Sequence, residues 1–257
     1  MSTSHPVLVV TGGSRGIGAS SARAFAAHGA AVAIVDVLDD AGAALAAEIN
    51  DRDQGKARYY HCDIADRGAV DRVFGEAVAE LGGLDTLANV AGVERFVAAE
   101  SITDDEWNLI FDVNVRGTML TNQAAYRCMK GRGGRILNFG SDAGLLPYPN
   151  GAHYSAAKGA VFSWTRTIAH EWGRHGVTAN TLVPALWTPM YDEHRATMGG
   201  DELVAHDAMM KGLIPVGGRL GDPDGDFAPV MVFLAGDGAR FINGQIISVN
   251  GGMNSVR

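Results

Sequence analysis

Tyr154 and Lys158 stand four residues apart in Tyr154-Ser155-Ala156-Ala157-Lys158. On a helix that spacing sets a phenol and an ammonium on one face, one turn apart. A free phenol has a pKa of about 10 and is a poor base at neutral pH. A cation beside it favours the phenolate and draws the value toward the working pH. The pair is therefore equipped to move a proton, although the same spacing also arises as an ordinary exposed helical pair. The neighbours decide between the two. Ser141, thirteen residues earlier, offers a hydroxyl that can hydrogen-bond and polarise a substrate oxygen. Asn114, in Asp112-Val113-Asn114-Val115, offers an amide that can anchor a water leading from Lys158 to solvent.

A second set has the chemistry of phosphate and ribose recognition. Thr11-Gly12-Gly13-Ser14-Arg15-Gly16-Ile17-Gly18 follows an apolar run and opens an amphipathic stretch. Glycine permits a tight bend and removes the Cβ that would keep a pyrophosphate from the N–H groups of a helix start. Gly12, Ser14, Arg15, Gly16, Ile17 and Gly18 are the candidate contacts. Eighteen residues past Gly18, Asp36 closes the next apolar run, with Val37 behind it. A carboxylate there accepts hydrogen bonds from both ribose hydroxyls of NAD and repels the 2′-phosphate of NADP. Arg15 argues for NADP, while Asp36 and the apolar pair Val37-Leu38 argue for NAD, which is the cofactor expected.

These residues need a scaffold that brings chain segments as far apart as Gly12 and Lys158 to one edge. Short apolar runs alternate with Ala-rich helical stretches from end to end. Strands are expected at Val7–Val10, Ala31–Asp36, Ala57–Cys62, Leu84–Asn89, Arg135–Phe139, Val177–Val183 and Gln245–Val249. Helices are expected at Ile17–His28, Asp39–Asn50, Arg67–Leu81, Asp104 toward Met129, and Tyr154–His175. Strands that are apolar throughout, rather than alternating, are those of a parallel sheet covered on both faces. The expected fold is α/β: one Rossmann-type doubly wound parallel sheet of about seven strands with helices on both faces, formed by residues 1–257 as a single domain. One segment breaks the rhythm. Residues 185–215, rich in Met, His, Gly and Pro, lie between two core strands and are expected to form a lid over the site.

Composition excludes several classes. The net charge of −8 argues against a nucleic-acid surface. No run approaches the roughly 18 apolar residues of a membrane span, and the first apolar run is too short for a signal-peptide core. Cys62 and Cys128 have no C-x-x-C partner and read as free thiols, so the expected location is the cytoplasm. The run His170-Glu171-Trp172-Gly173-Arg174-His175 is one residue too long for a zinc site of the H-E-x-x-H type, and no metal is expected. Asp222, Asp224 and Asp226 lack the spacing of a calcium loop and read as a turn that starts a helix.

The turn spacing G-x-x-x-G-x-G, the Asn89-Val90-Ala91-Gly92 segment and the order Asn114, Ser141, Tyr154, Lys158 resemble the short-chain dehydrogenase/reductase family over nearly the whole chain. The resemblance implies that Asp63 and Ile64 contact the adenine, and that Asn89, Ala91 and Gly92 let the backbone approach the cofactor. It implies that Lys158 holds the nicotinamide ribose beside Tyr154, and that Pro184 and Thr188 contact the nicotinamide. Ala185 departs from the family's Pro-Gly at that turn, and Val90 from its usual Asn or Ala. The implied activity is hydride transfer between NAD(H) and a secondary alcohol or ketone, in a homotetramer. The alternatives are an NADP-dependent 3-oxoacyl-type carbonyl reductase, a dinucleotide-binding protein without catalysis, and an epimerase. The pocket is implied to be lined near Val93-Glu94, Ala143, Tyr148, Gly151 and the Trp187–Met210 stretch. Its wall is read as mainly apolar, with Glu94, His194, Arg195 and His206 either reading a polar group of the substrate or, as the favoured alternative, facing solvent, and its small-molecule substrate as a medium-sized apolar or alicyclic alcohol or ketone. His153 is read as either lining the pocket or lying on the surface.

Overall fold

Apolar strands with no polar face must be covered on both sides, and the computed structural model, which describes residues 6–52 and 55–254, shows how. Seven strands form one parallel sheet: β1 (Val7–Thr11), β2 (Ala31–Asp36), β3 (Lys56–His61), β4 (Thr86–Asn89), β5 (Gly134–Phe139), β6 (Val177–Pro184) and β7 (Ile246–Val249). Their order is β3-β2-β1-β4-β5-β6-β7. β1 pairs with β2 in the register Val7↔Ala31 to Thr11↔Val35, and with β4 in the register Leu8↔Thr86 to Thr11↔Asn89.

Side chains alternate between the two faces. Leu8, Val10, Val32 and Ile34 pack under α1 (Gly16–Ala27), α2 (Asp39–Asp51) and α9 (Ala228–Ala235), with Phe25, Leu45, Ile49 and Met231. Val9, Ala33 and Val35 pack on the other face under α3 (Arg67–Leu81), α5 (Thr118–Met129) and α6 (Ala152–Gly173), with Phe74, Leu120 and Ile168. Each such fully buried large side chain contributes about 1.5–3 kcal/mol over its exposed state, which is more than any surface ion pair here can supply.

Local signals set the ends of several helices. Asp66 caps α3 by accepting from the N–H groups of Gly68 and Ala69, and Gly82, at φ +91°, closes it in the left-handed region. Thr103 and Glu106 form a reciprocal capping box at the start of α4 (Asp104–Phe111). The helix expected from Asp104 to Met129 is not uniform. Between α4 and α5 the residues Asp112–Gly117 adopt a π-helical turn, which carries Asn114. Widened turns of this kind recur at functional sites. Gly117 is needed there, because a Cβ would lie 2.7 Å from Ile64 Cδ1.

The sequence reading of residues 185–215 contained no helix, whereas the structure has α7 (Pro189–Arg195) and α8 (Gly200–Leu213). The acidic turn does start a helix: Asp222 accepts from the Gly225 N–H, and Pro223–Phe227 lead into α9. Among the described residues no helix is long and apolar enough to cross a membrane.

The sheet order reverses between β1 and β4. The loops after those two strands part there and leave a crevice beyond the strand ends, where ligands bind in such folds. Thr11, Asp36, Asn89, Phe139 and Pro184 all end strands on that edge.

Candidate active site

Beneath the crevice lies a buried polar network that ties the strands to the helices behind them. Asn89 Oδ1 accepts from Thr11 Oγ1 at 2.9 Å and from Thr121 Oγ1 at 3.0 Å. Asn138 exchanges hydrogen bonds with Asn122 at 2.8 and 2.9 Å and donates to Thr165 Oγ1. Every member is buried and satisfied, which fixes one register rather than several. Asn89 was read as a cofactor neighbour; its side chain works inside this network, and Thr11, Asn122, Asn138 and Thr165 went unread.

At one end of the crevice, the glycine turn meets the loop after β4 backbone to backbone. A Cβ on Gly12 (φ +61°) would lie 2.7 Å from Ala91 Cα, and one on Gly18 would lie 2.0 Å from the Gly12 oxygen. The N–H of Ala91 donates to Thr11 Oγ1. Arg15 gives α1 no side-chain cap, so the N–H groups of its first turn have no side-chain partner there. The buried Ser14 hydroxyl has no partner either. These are the features a dinucleotide's pyrophosphate would fill, so the residues present fit the group. Gly16 and Ile17, half-buried, begin α1 beneath this position.

Asp36 is held at the same end. Its Oδ2 accepts from the Ser14 N–H at 3.0 Å and its Oδ1 from the Val37 N–H at 2.7 Å. Val37 is exposed. Arg15, which might have read a 2′-phosphate, is instead paired with Glu193 of α7 at 2.9 Å. Asp63 is exposed and accepts from the Ala65 N–H, while Ile64 is buried against Gly117. Thr188 caps α7 by accepting from the Tyr191 N–H, and Pro189 lies 3.5 Å from where a Gly16 Cβ would be. Pro184 ends β6 beside this turn.

At the other end, Tyr154 is half-buried and Lys158 buried, both in the first turns of α6. Lys158 Nζ is 5.5 Å from the Tyr154 ring centroid and donates to the Phe139 carbonyl at 3.0 Å. The Ser141 side chain lies beside Tyr154, and its Oγ accepts from the Ala143 N–H at 3.2 Å. The structure thus brings Tyr154, Lys158 and Ser141 together. Asn114 joins them differently from the expectation. Its Nδ2 donates to the Val93 carbonyl at 2.7 Å and its Oδ1 accepts from the Val93 N–H at 3.0 Å, so the amide pins the loop after β4. Gly92 is required beside it, because a Cβ would lie 2.7 Å from Asn114 Oδ1.

The electrostatics also depart from the simple picture. Burial pushes the Tyr154 phenol up, the charge of Glu94 pushes it further, and the Ser141 hydroxyl works the other way. Burial lowers Lys158 to about 8, opposed by Glu94. An ammonium this weakly retained does not overcome the burial of the phenol. In the chain alone Tyr154 is therefore held in its protonated form.

Glu94, His194, Arg195 and His206 were expected in solvent; this is corrected. Glu94 is half-buried beside the Tyr148 hydroxyl, and the Tyr148 ring centroid is 6.2 Å from that of Tyr154. His194 stacks on Phe96 at 4.5 Å. His206 bonds the Tyr191 hydroxyl at 2.8 Å. Arg195 pairs with Asp207 and lies 4.9 Å over the Trp187 ring. His153 is not on the surface: it is fully buried, with neither ring nitrogen partnered. The wall is more polar than expected, although Trp187 and Met190 remain exposed apolar residues.

Comparison with known proteins agrees in family and fold. Residues 6–199 match the profile of the short chain dehydrogenases. The chain is 39% identical over 249 residues to the short-chain reductase protein NovJ of Streptomyces niveus, covering 96% of this chain and 93% of that one. It is 37% identical to a D-threitol dehydrogenase of Mycolicibacterium smegmatis, covering 96% and 92%. A solved dehydrogenase/reductase of Sinorhizobium meliloti superposes with a TM-score of 0.87 at 33% identity, over 99% of this chain and 97% of that one.

Proposed function

The chain belongs to the short-chain dehydrogenase family, and from that premise we propose that it exchanges a hydride between NAD(H) and a secondary alcohol or ketone, with Tyr154 as its acid and base. The observation that carries this is the meeting of Tyr154, Ser141 and Lys158 at the strand edge beside a glycine turn shaped for pyrophosphate. The dinucleotide supplies the two-electron exchange, taking a hydride from the carbinol carbon or giving one to the carbonyl carbon. Tyr154 takes the hydroxyl proton in oxidation and returns it in reduction. Ser141 holds the same oxygen as charge develops on it. Lys158 is placed to hold the ribose and to add positive charge near the phenol, and Asn114 keeps the loop at Val93 against it.

NAD is favoured over NADP because the Asp36 carboxylate is fixed by three backbone N–H groups, those of Ser14, Val37 and Leu38, where a 2′-phosphate would lie. The competing feature, Arg15, is engaged by Glu193. Comparing kcat/KM for the two nucleotides tests this, and an NADP preference would reverse it. Tyr154→Phe tests the acid/base role. Turnover should fall about 10²–10⁴-fold, the usual range for a positioned proton donor, with NADH binding nearly intact. Near-normal turnover would remove the assignment.

In this reading all 257 residues form one catalytic domain, with residues 185–215 closing over the substrate. A homotetramer is favoured by half-buried edge strand β7, by the exposed Phe241 near it, and by an apolar groove of about 310 Å³ lined by Phe111, Met119 and Trp164. Sedimentation showing only monomer would refute it.

A further inference from the structure

Glu94 is the least expected group in the site. It is half-buried, forms no ion pair among the described residues, and lies beside the Tyr148 hydroxyl. An ionised carboxylate offers about four acceptor positions, so most of its capacity is unused within the chain. Its charge also opposes ionisation of Tyr154, the step that oxidation needs. A local conflict of this kind beside the reacting groups marks a functional position. Tyr148 is held in place by Phe96, at 5.7 Å, and by Gly151, where a Cβ would lie 2.4 Å from the Tyr148 ring.

We infer that Glu94 and Tyr148 form a subsite for a second hydroxyl, so that the substrate is a vicinal diol or polyol rather than a simple alcohol. This rests on the hydride-transfer reading above. With the reacting oxygen at Tyr154 and Ser141, a hydroxyl on the adjacent carbon lies on the side of the Tyr148 ring and donates to the Glu94 carboxylate. A substrate carboxylate is repelled there. A substrate ammonium is disfavoured as well, because Lys158 already places positive charge near that carboxylate. A neutral donor remains. Donation to Glu94 also disperses the charge that resists loss of the Tyr154 proton, so the second hydroxyl raises kcat as well as lowering KM. Oxidation converts the diol to a hydroxyketone; the carbinol C–H leaves as hydride to the dinucleotide and the O–H proton passes to Tyr154.

The test compares 1,2-cyclohexanediol with cyclohexanol in the wild-type enzyme, in Glu94→Gln and in Glu94→Leu. The diol should be favoured about ten- to hundredfold in kcat/KM, the range of a hydrogen bond to a charged group. That ratio should shrink in Glu94→Gln, which keeps an acceptor without charge, and approach one in Glu94→Leu. A ratio near one in the wild type, or one unchanged by either substitution, overturns the subsite. Calorimetric binding of the two alcohols to Tyr154→Phe loaded with NAD⁺ reads the subsite without turnover. The diol should bind more tightly there, and equal affinities overturn the inference. Absence of turnover of both alcohols with either nucleotide overturns the hydride-transfer reading instead, and the binding ratio still decides the subsite.

Discussion

At the dinucleotide end of the crevice, the chain meets itself backbone to backbone, Gly12 on Ala91 and Gly18 on Gly12, and the Ser14 N–H is held by the Asp36 carboxylate. At the end formed by α7 and α8 segments meet side chain to side chain: Phe96 on His194, Tyr191 on His206, Arg195 on Asp207 and Trp187. The first construction tolerates only the residue that leaves room, because backbone cannot step aside. The second can repack, because each contact is made by the far end of a long side chain. The conserved-geometry task of holding one dinucleotide suits the rigid end, and adaptation to a particular substrate suits the other.

The contrast can be broken by substitution, with the largest effect at the rigid end. Gly18→Val places atoms within 2.0 Å of the Gly12 oxygen, and NADH binding followed by fluorescence should be lost; retained binding would show that the turn can relax. Next is Lys158, which joins the two ends. Its folded pKa of about 8 lies below the ordinary 10.5. The folded state thus sheds the proton first, and the cost of burying the charge is full below pH 8 and relieved as pH rises toward 10.5. Urea midpoints of wild type minus Lys158→Met should therefore climb between pH 8 and 10, by roughly 3 kcal/mol at most. The raised tyrosines act in the opposite sense, losing stability only above pH 10, so the window stops there. A flat difference would mean that Lys158 stays charged.

Smaller effects sharpen the comparison. Asp36→Ala should shift the NADP-to-NAD preference about ten- to hundredfold toward NADP, as expected for a lost charged hydrogen bond; kcat/KM with both nucleotides measures it. Glu193→Ala releases Arg15 from α7. The pair is exposed on both sides, and such pairs contribute about 0–1 kcal/mol. The shift toward NADP should accordingly be smaller than that of Asp36→Ala, and a larger one would make α7 a determinant of cofactor choice.

Much of the scaffold was legible because its signals are local. β2 and α3 have the bounds expected from Ala31–Asp36 and Arg67–Leu81, since an apolar run ends at a carboxylate in one and Asp66 and Gly82 bracket the other. α9 was not delimited: Ala228–Ala235 is apolar all round and carries no stripe to read. The π turn at Asp112–Gly117 was invisible, since a widened turn leaves the composition of a helix unchanged. Tyr154 and Lys158 were legible from a spacing of four, whereas the partners of Glu94, His194 and His206 lie 54, 98 and 15 residues away.

The sequence by itself determined the sheet, the glycine turn and the pairing of Tyr154 with Lys158, because each depends on residues within a turn or two of one another. Only the tertiary structure decided that Glu94 stands against Tyr148, that Asn114 pins Val93, and that Arg15 is engaged by Glu193. Those relations exist between segments brought together by burial of the two apolar layers, and no periodicity along the chain encodes which side chains then meet.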